Sequence, residues 1–290
     1  MFKKIILFSC ALILYLAVNA QAQSLSDLYA LGKQEIAKGH YTEAIDYFTK
    51  CIEKKKDLDY YYQRGMCYFF VKDYENALKD YNTVIEMKPD YPEAFNRRGR
   101  INLELKNYDA ALADIQRSVQ LKPDYSDAFY SLGLVYFTQE KYEDAKNAFG
   151  KAVMIKPDYA EAYHSRGLSF LNISEPDSAY NDLTRSIDIK PDYAAAYYDR
   201  ALLSTNRKSY DIALADYNKA IELKPDYVAA ISNRGQVYYY IEDYENAIND
   251  WQLAIKLNPE YADKLKSFIG DAMIKKKDKD KNRPKKDVTK

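Results

Sequence analysis

Residues 122–125 read KPDY, and the same four letters stand at 88–91, 156–159, 190–193 and 224–227, with the variant NPEY at 258–261. Each copy lies 34 residues after the one before. An interval this strict marks a structural unit repeated along the chain. Aligned on the proline, residues 25–261 divide into seven units: 25–57, 58–91, 92–125, 126–159, 160–193, 194–227 and 228–261, the first being one residue short. Proline lacks an N–H and disfavours helix in the residue before it, so each copy ends a helix. The aspartate suits the positive end of the helix that follows. The tyrosine is expected to pack over the junction between units.

The interior of the unit is equally regular. Its eighth residue is small throughout: Gly32, Gly65, Gly99, Gly133, Gly167, Ala201 and Gly235. Glycine inside a helix costs about 1 kcal/mol relative to alanine, and close helix–helix approach is the natural compensation. The twentieth residue is always alanine, from Ala44 to Ala247, and four places on comes a large apolar one: Phe48, Tyr81, Ile115, Phe149, Leu183, Tyr217 and Trp251. That spacing puts both on one face of a second helix. Short polar turns separate the two helices, with Asp73, Asn107, Ser209 and Asp243 as expected N-caps. Pro176, where most units have tyrosine, suggests a distorted turn in the fifth unit. Neither helix buries its apolar face within one unit, so the units must stack into a solenoid.

The 34-residue period, the small eighth residue, tyrosine at the seventeenth place, alanine at the twentieth, a large ring at the twenty-fourth and proline at the thirty-second together resemble the tetratricopeptide repeat (TPR) family. The resemblance covers 25–261. It implies an all-α fold, a right-handed α-solenoid (superhelix) of seven TPR helix-turn-helix units. A C-terminal capping helix is expected at 262–274, where Leu265, Phe268, Ile269, Ala272 and Met273 recur at helical spacing. The resemblance also implies that the first helices line a concave face where partners dock, through about the fifth, ninth and twelfth places. Among these are Tyr62, Met66, Phe69, Asn96, Arg100, Tyr130, Leu134, Phe137, His164, Tyr198 and Tyr239, the expected protein-binding residues. A set with many aromatic and few charged members suits protein recognition. The Lys and Asn residues of the family's two-carboxylate clamp are absent from the matching places, which offer Lys33, Tyr62/Met66 and Asn96/Arg100.

The chain begins MFKK, continues with the apolar run IILFSCALILYLAV (5–18) and then NAQAQ. This is the pattern of a secretory signal peptide, 1–22, cleaved after Ala20 or Ala22. It predicts an exported protein, periplasmic or secreted if the source is bacterial. Cys51 and Cys67 then remain; an oxidising compartment would let them pair, while their inward-leaning helical places favour buried free thiols.

Formal charge balances at 43 basic and 43 acidic residues, but unevenly. Nine bases and three acids fall in 275–290 and two lysines at 3 and 4, leaving 32 bases against 40 acids in 23–274. An acidic body argues against nucleic acid as a partner. The tail 275–290 is expected to be disordered, and it is the one segment suited to membrane contact. With two histidines, no metal-ligand spacing and no phosphate loop, the sequence offers no catalytic or cofactor site. Arginines beside the small residue (Arg64, Arg97 or Arg98, Arg166, Arg200, Arg234) read as solvated or snorkelling side chains. The expected function is a non-enzymatic scaffold that binds a protein or peptide segment on its concave face. The alternative is a structural subunit of an envelope or secretion assembly that uses its convex face and edges.

Overall fold

A computed structural model describes residues 24–281. The expected signal peptide, 1–22, and the last nine residues of the basic tail lie outside the described residues. Within them are fifteen α-helices, one 3-10 turn (Pro259–Tyr261) and no strand. The helices are α1 (Leu25–Lys38), α2 (Tyr41–Lys54), α3 (Leu58–Phe70), α4 (Tyr74–Met87), α5 (Pro92–Glu104), α6 (Tyr108–Leu121), α7 (Ser126–Thr138), α8 (Tyr142–Ile155), α9 (Ala160–Asn172), α10 (Pro176–Ile189), α11 (Ala194–Asn206), α12 (Tyr210–Leu223), α13 (Val228–Tyr240), α14 (Tyr244–Leu257) and α15 (Ala262–Lys281). Odd-numbered helices through α13 open a repeat and even-numbered helices close it. Two compact units meet between Ser131 and Leu132, inside α7.

In the unit ending at Ser131, α1/α2, α3/α4 and α5/α6 form hairpins, and α2 packs on α3 and α4 on α5. Its core runs through Ala44, Phe48 and Cys67, then Ala77, Tyr81, Val84, Ala94 and Ile101, all fully buried. Cys51 and Cys67 are buried free thiols. Burial pushes the Cys67 thiol up to about 12.

In the unit beginning at Leu132, the hairpins α9/α10, α11/α12 and α13/α14 follow the same rule. The small eighth residue has the cause expected of it. A Cβ on Gly133 would lie 2.5 Å from the Phe149 ring, and one on Gly235 would lie 2.8 Å from the Trp251 indole. Trp251 Nε1 donates to the Ser232 carbonyl at 3.1 Å, which satisfies its one buried donor. Pro176 starts α10 at its first turn, where the missing N–H costs nothing. The helix has the usual fourteen residues, so the fifth unit is not distorted.

Two local expectations need correction. Asp73 and Asp243 cap their helices through Asn76 N–H and Asn246 N–H, but Asn107 and Ser209 make no side-chain cap. The final helix does not stop at 274; it continues to Lys281. The tail lysines find acids on and around it: Lys275 pairs with Asp271, Lys276 with Glu245 and Lys279 with Glu242. Residues 275–281 bury no side chain, and these ion pairs are among their contacts with the preceding repeat.

Each hairpin turn closes in the same way. The residue at the fifteenth place adopts a left-handed conformation: Gly39 in the first unit, then Lys72, Lys106, Glu140, Ser174, Lys208 and Glu242 with φ between 59° and 63°. Its N–H and the next one bond back to the helix just ended, as in Glu242 N to Tyr239 O (3.1 Å) and Asp243 N to Tyr238 O (2.8 Å). A non-glycine residue is strained there by about 1–2 kcal/mol. Lys208→Gly is thus expected to stabilise by roughly 0.5–1 kcal/mol, because the greater freedom of glycine in the unfolded chain offsets part of the relief. Urea denaturation of the single variant checks it.

Candidate functional site

The KPDY junction sets the inner side of the repeat. In all five copies the lysine ammonium stands over the tyrosine ring, at 5.1, 4.9, 4.7, 5.1 and 5.1 Å from its centre. Lys122 and Lys190 also reach back to Glu93 and Glu161 at the start of their own repeats. The aspartate at the third letter is exposed, and it is the tyrosine that stands immediately before the next helix. The tyrosine ring in turn backs the residue at the fifth place of its own repeat. Tyr91 lies 5.5 Å from Tyr62, Tyr193 5.0 Å from His164 and Tyr227 5.0 Å from Tyr198.

A second regularity ties neighbouring first helices together. The fifth residue of one repeat bonds the sixth residue of the next. Arg97 Nε donates to Tyr62 Oη at 3.4 Å, and Asn233 Nδ2 donates to Tyr198 Oη at 3.1 Å. His164 Nε2 and Asp199 Oδ2 are 2.6 Å apart, with Tyr193 Oη 3.3 Å from His164 Nδ1. Burial, and next the charge of Asp199, raise the Tyr198 phenol above its ordinary value. This rung between repeats is not apparent from helical periodicity, although the polar residues Arg97, Asp199 and Asn233 at one place were its signal.

The expected binding residues divide accordingly. In the unit ending at Ser131, Tyr62, Met66, Phe69, Arg100 and Tyr130 are half-buried. The Arg100 guanidinium stands 5.7 Å from the Phe69 ring centre. Asn96 is buried at 1 % exposure and belongs to the wall rather than the surface. In the unit beginning at Leu132, Leu134, Phe137 and Tyr198 are half-buried, as is Leu168. Phe137 meets Tyr142 edge-on at 5.2 Å. His164 is 8 % exposed and is held by Asp199 and Tyr193. Tyr239 is covered by α15: its hydroxyl bonds Asp271 and Lys275, and the Lys275 ammonium sits 4.7 Å from its ring centre. Asn96 is thus buried, His164 is enclosed by its junction tyrosine and the next repeat, and Tyr239 is engaged by the last helix.

The arginines at the seventh place are not solvated. Arg64, Arg98, Arg166, Arg200 and Arg234 each make two hydrogen bonds of 2.6–2.9 Å to an aspartate sixteen residues on. Those aspartates, Asp80, Asp114, Asp182, Asp216 and Asp250, are buried at 3–7 % exposure. The planar fork matches a carboxylate, so each pair locks the two helices of its hairpin. No group of three His, Cys, Asp or Glu side chains among the described residues is placed to hold a metal. No helix among them is long and apolar enough to cross a membrane.

Consecutive helix-turn-helix units with small eighth residues, aromatic junctions and ringed inner faces define a repeat protein of the helical-hairpin class. Profiles described as "Tetratricopeptide repeat" match residues 28–57, 58–91 and 228–261, and a "TPR repeat" profile matches 99–140, 133–173 and 205–241. The chain belongs to the tetratricopeptide repeat family, whose members are typically non-enzymatic scaffolds for protein–protein interaction. The heat shock protein sti1 homolog of Schizosaccharomyces pombe is 39% identical over 72 residues, which is 24% of this chain and 12% of that protein's length. A tetratricopeptide repeat protein from Parabacteroides merdae superposes with a TM-score of 0.60 at 19% identity, covering 87% of this chain and 99% of that one. YrrB, described as a TPR protein with an unusual peptide-binding site, superposes with a TM-score of 0.53 at 23% identity, covering 62% and 93%. At these identities the structural likenesses speak to fold.

Proposed function

We propose that the chain is an exported scaffold that binds an extended or helical segment of another protein along the inner faces of its first helices. The observation that carries this reading is the set of half-exposed apolar side chains in each unit by itself: Tyr62, Met66 and Phe69 in one, Leu134, Phe137, Leu168 and Tyr198 in the other. Neighbouring rings back Tyr62, Phe69, Phe137 and Tyr198, and hydrogen bonds hold Tyr62 and Tyr198, which restrains these side chains before any partner arrives, as a low-entropy recognition surface requires. The signal-like start of the sequence supports action outside the cytoplasm. YrrB, with its own peptide-binding site, is a precedent within the fold.

Photo-crosslinking in the living cell tests this. A crosslinking residue at Met66 or Leu168 is expected to give discrete protein adducts in the envelope or secreted fraction. The same residue at exposed Gln116, on the outer side of α6, is expected to give none of them. Identical adducts from Gln116 would sink the inner-face reading and favour the convex-face alternative.

A further inference from the structure

The arginine–aspartate pairs expose one break in the repeat. In four of the five pairs the arginine's remaining Nη1 donates to the side chain at the twenty-fifth place of the preceding repeat. Arg64 reaches Thr49 (3.1 Å), Arg98 reaches Asn82 (2.8 Å), Arg200 reaches Thr184 (3.1 Å) and Arg234 reaches Asn218 (2.7 Å). The fifth arginine, Arg166, finds Gly150 at that place. Among the described residues no acceptor meets its Nη1, while Nε and Nη2 are held by Asp182 at 2.6 and 2.7 Å. Beside Gly150 an open cavity of about 330 Å³ lies between α8 and α9. Lys146, Gly150, Lys151, Met154, Arg166 and Phe170 are among the residues that line it. Arg166 lies two places from both His164 and Leu168, roughly 200° around the helix from each, so the cavity is on the side of α9 away from the inner face.

We propose that this notch is a second binding site, which takes the carboxylate of a glutamate or aspartate side chain from a docked polypeptide in place of the missing Asn or Thr. The donor is preset, because two bonds to Asp182 fix the guanidinium plane. A charge-assisted bond to a carboxylate is the strongest partner such a donor can take. Three bases line the notch, Lys146, Lys151 and Arg166, which suits an anion. Lys146 is paired with Glu143 at 2.5 Å and lies 3.9 Å from Glu175, and Arg166 is paired with Asp182. The floor is apolar: the Lys146 ammonium and the Arg166 guanidinium each stand 5.8 Å from the Phe170 ring centre, which suits the methylenes of an acidic side chain. The volume sits at the small end for a cavity that encloses a whole ligand, and fits a side chain delivered from outside. Met154, at 74 % exposure, stands at the rim as an adaptable apolar contact for the residues flanking that side chain.

The test reads the Met154 methyl carbon by NMR in the full chain, titrated with the peptide acetyl-Ala-Leu-Glu-Leu-Ala-amide. The resonance is expected to shift saturably, and the Gln counterpart is expected to bind at least about tenfold more weakly because the charged acceptor is lost. Gly150→Asn is expected to abolish the shift by occupying the notch from within. A Cβ at Gly150 has only Arg166 Nη1 nearby, at 3.7 Å, so the variant folds without a clash. Gly150→Ala adds that Cβ without an acceptor and is expected to retain binding. Equal binding of the Gln peptide, an unchanged response in Gly150→Asn, or equal loss in Gly150→Ala and Gly150→Asn would each overturn the assignment. Free butyrate saturating the site below the peptide's concentration would overturn the polypeptide source.

Discussion

Asp216→Ala is expected to lower stability by about 3 kcal/mol, and combining it with Arg200→Leu is expected to restore most of that loss. Asp216 is 4 % exposed and accepts both Nε and Nη2 of Arg200 at 2.8 Å. Removing the carboxylate alone leaves a half-buried guanidinium without its counter-charge, and the uncompensated charge is the larger part of the penalty. Removing both members leaves an apolar contact of modest volume change. The chain already contains that alternative: in the fourth repeat the seventh place is Leu132 and the twenty-third is Ala148, and both belong to the same ordered unit. Burial offsets part of the gain in the Arg64–Asp80 pair. Burial pushes the Asp80 carboxyl above its ordinary range, and the hydrogen bonds and charge of Arg64 only partly offset this. Urea denaturation of both single variants and the double variant gives the coupling directly, with the slope compared as well because repeat arrays lose cooperativity locally. A double variant as unstable as Asp216→Ala alone would mean that packing, not charge compensation, sets the cost.

The sequence announced the repeat because its punctuation is local. Proline, the left-handed turn and the small eighth residue each act within a few residues, so a fixed period exposes them. The Gly133–Phe149 and Gly235–Trp251 contacts follow from that pattern alone. The arginine–aspartate pairs were missed because sixteen residues span two helices, and no helical period links the partners. Their signal lay elsewhere, in the repeats that lack arginine: Leu31 faces Tyr47 and Leu132 faces Ala148 in the register where the others keep both charges. The inner face was legible as a stripe but not as a surface. Asn96 and His164 occupy inward places, yet both are buried, and His164 is enclosed by Tyr193 and Asp199, partners about thirty residues away. The helical stretch 275–281 was unreadable for a similar reason: it has no core residues, and its ion-pair partners Glu242 and Glu245 precede it by more than thirty residues.

Raising the pH from about 10 to 12 is expected to melt the helices, because the fold holds its tyrosines neutral. Burial pushes the phenols of Tyr91, Tyr125, Tyr217 and Tyr227 up to about 12, against an ordinary 10.0, and raises fully buried Tyr81 well above its ordinary value too. Neighbouring tyrosines and acids push all four the same way. Between the two values the unfolded chain releases these protons and the folded chain keeps them. The unfolded state then binds fewer protons, so stability is whole below pH 10 and falls as the pH rises toward 12. Tyr217, at 0 % exposure, accounts for about 3 kcal/mol of that loss, and the half-buried rings add less because solvent screens them. Circular dichroism and tyrosinate absorbance followed together against pH give the test. Helix loss and the delayed phenol ionisations should coincide, whereas full ionisation near pH 10 with the helices intact would refute the argument. Tyr81→Phe separates ionisation from packing. The Tyr81 hydroxyl is buried with no hydrogen-bond partner among the described residues, so its removal is expected to leave neutral-pH stability unchanged or raise it by about 1 kcal/mol. The same change should move the alkaline transition to higher pH, because one of the groups that drives it is gone.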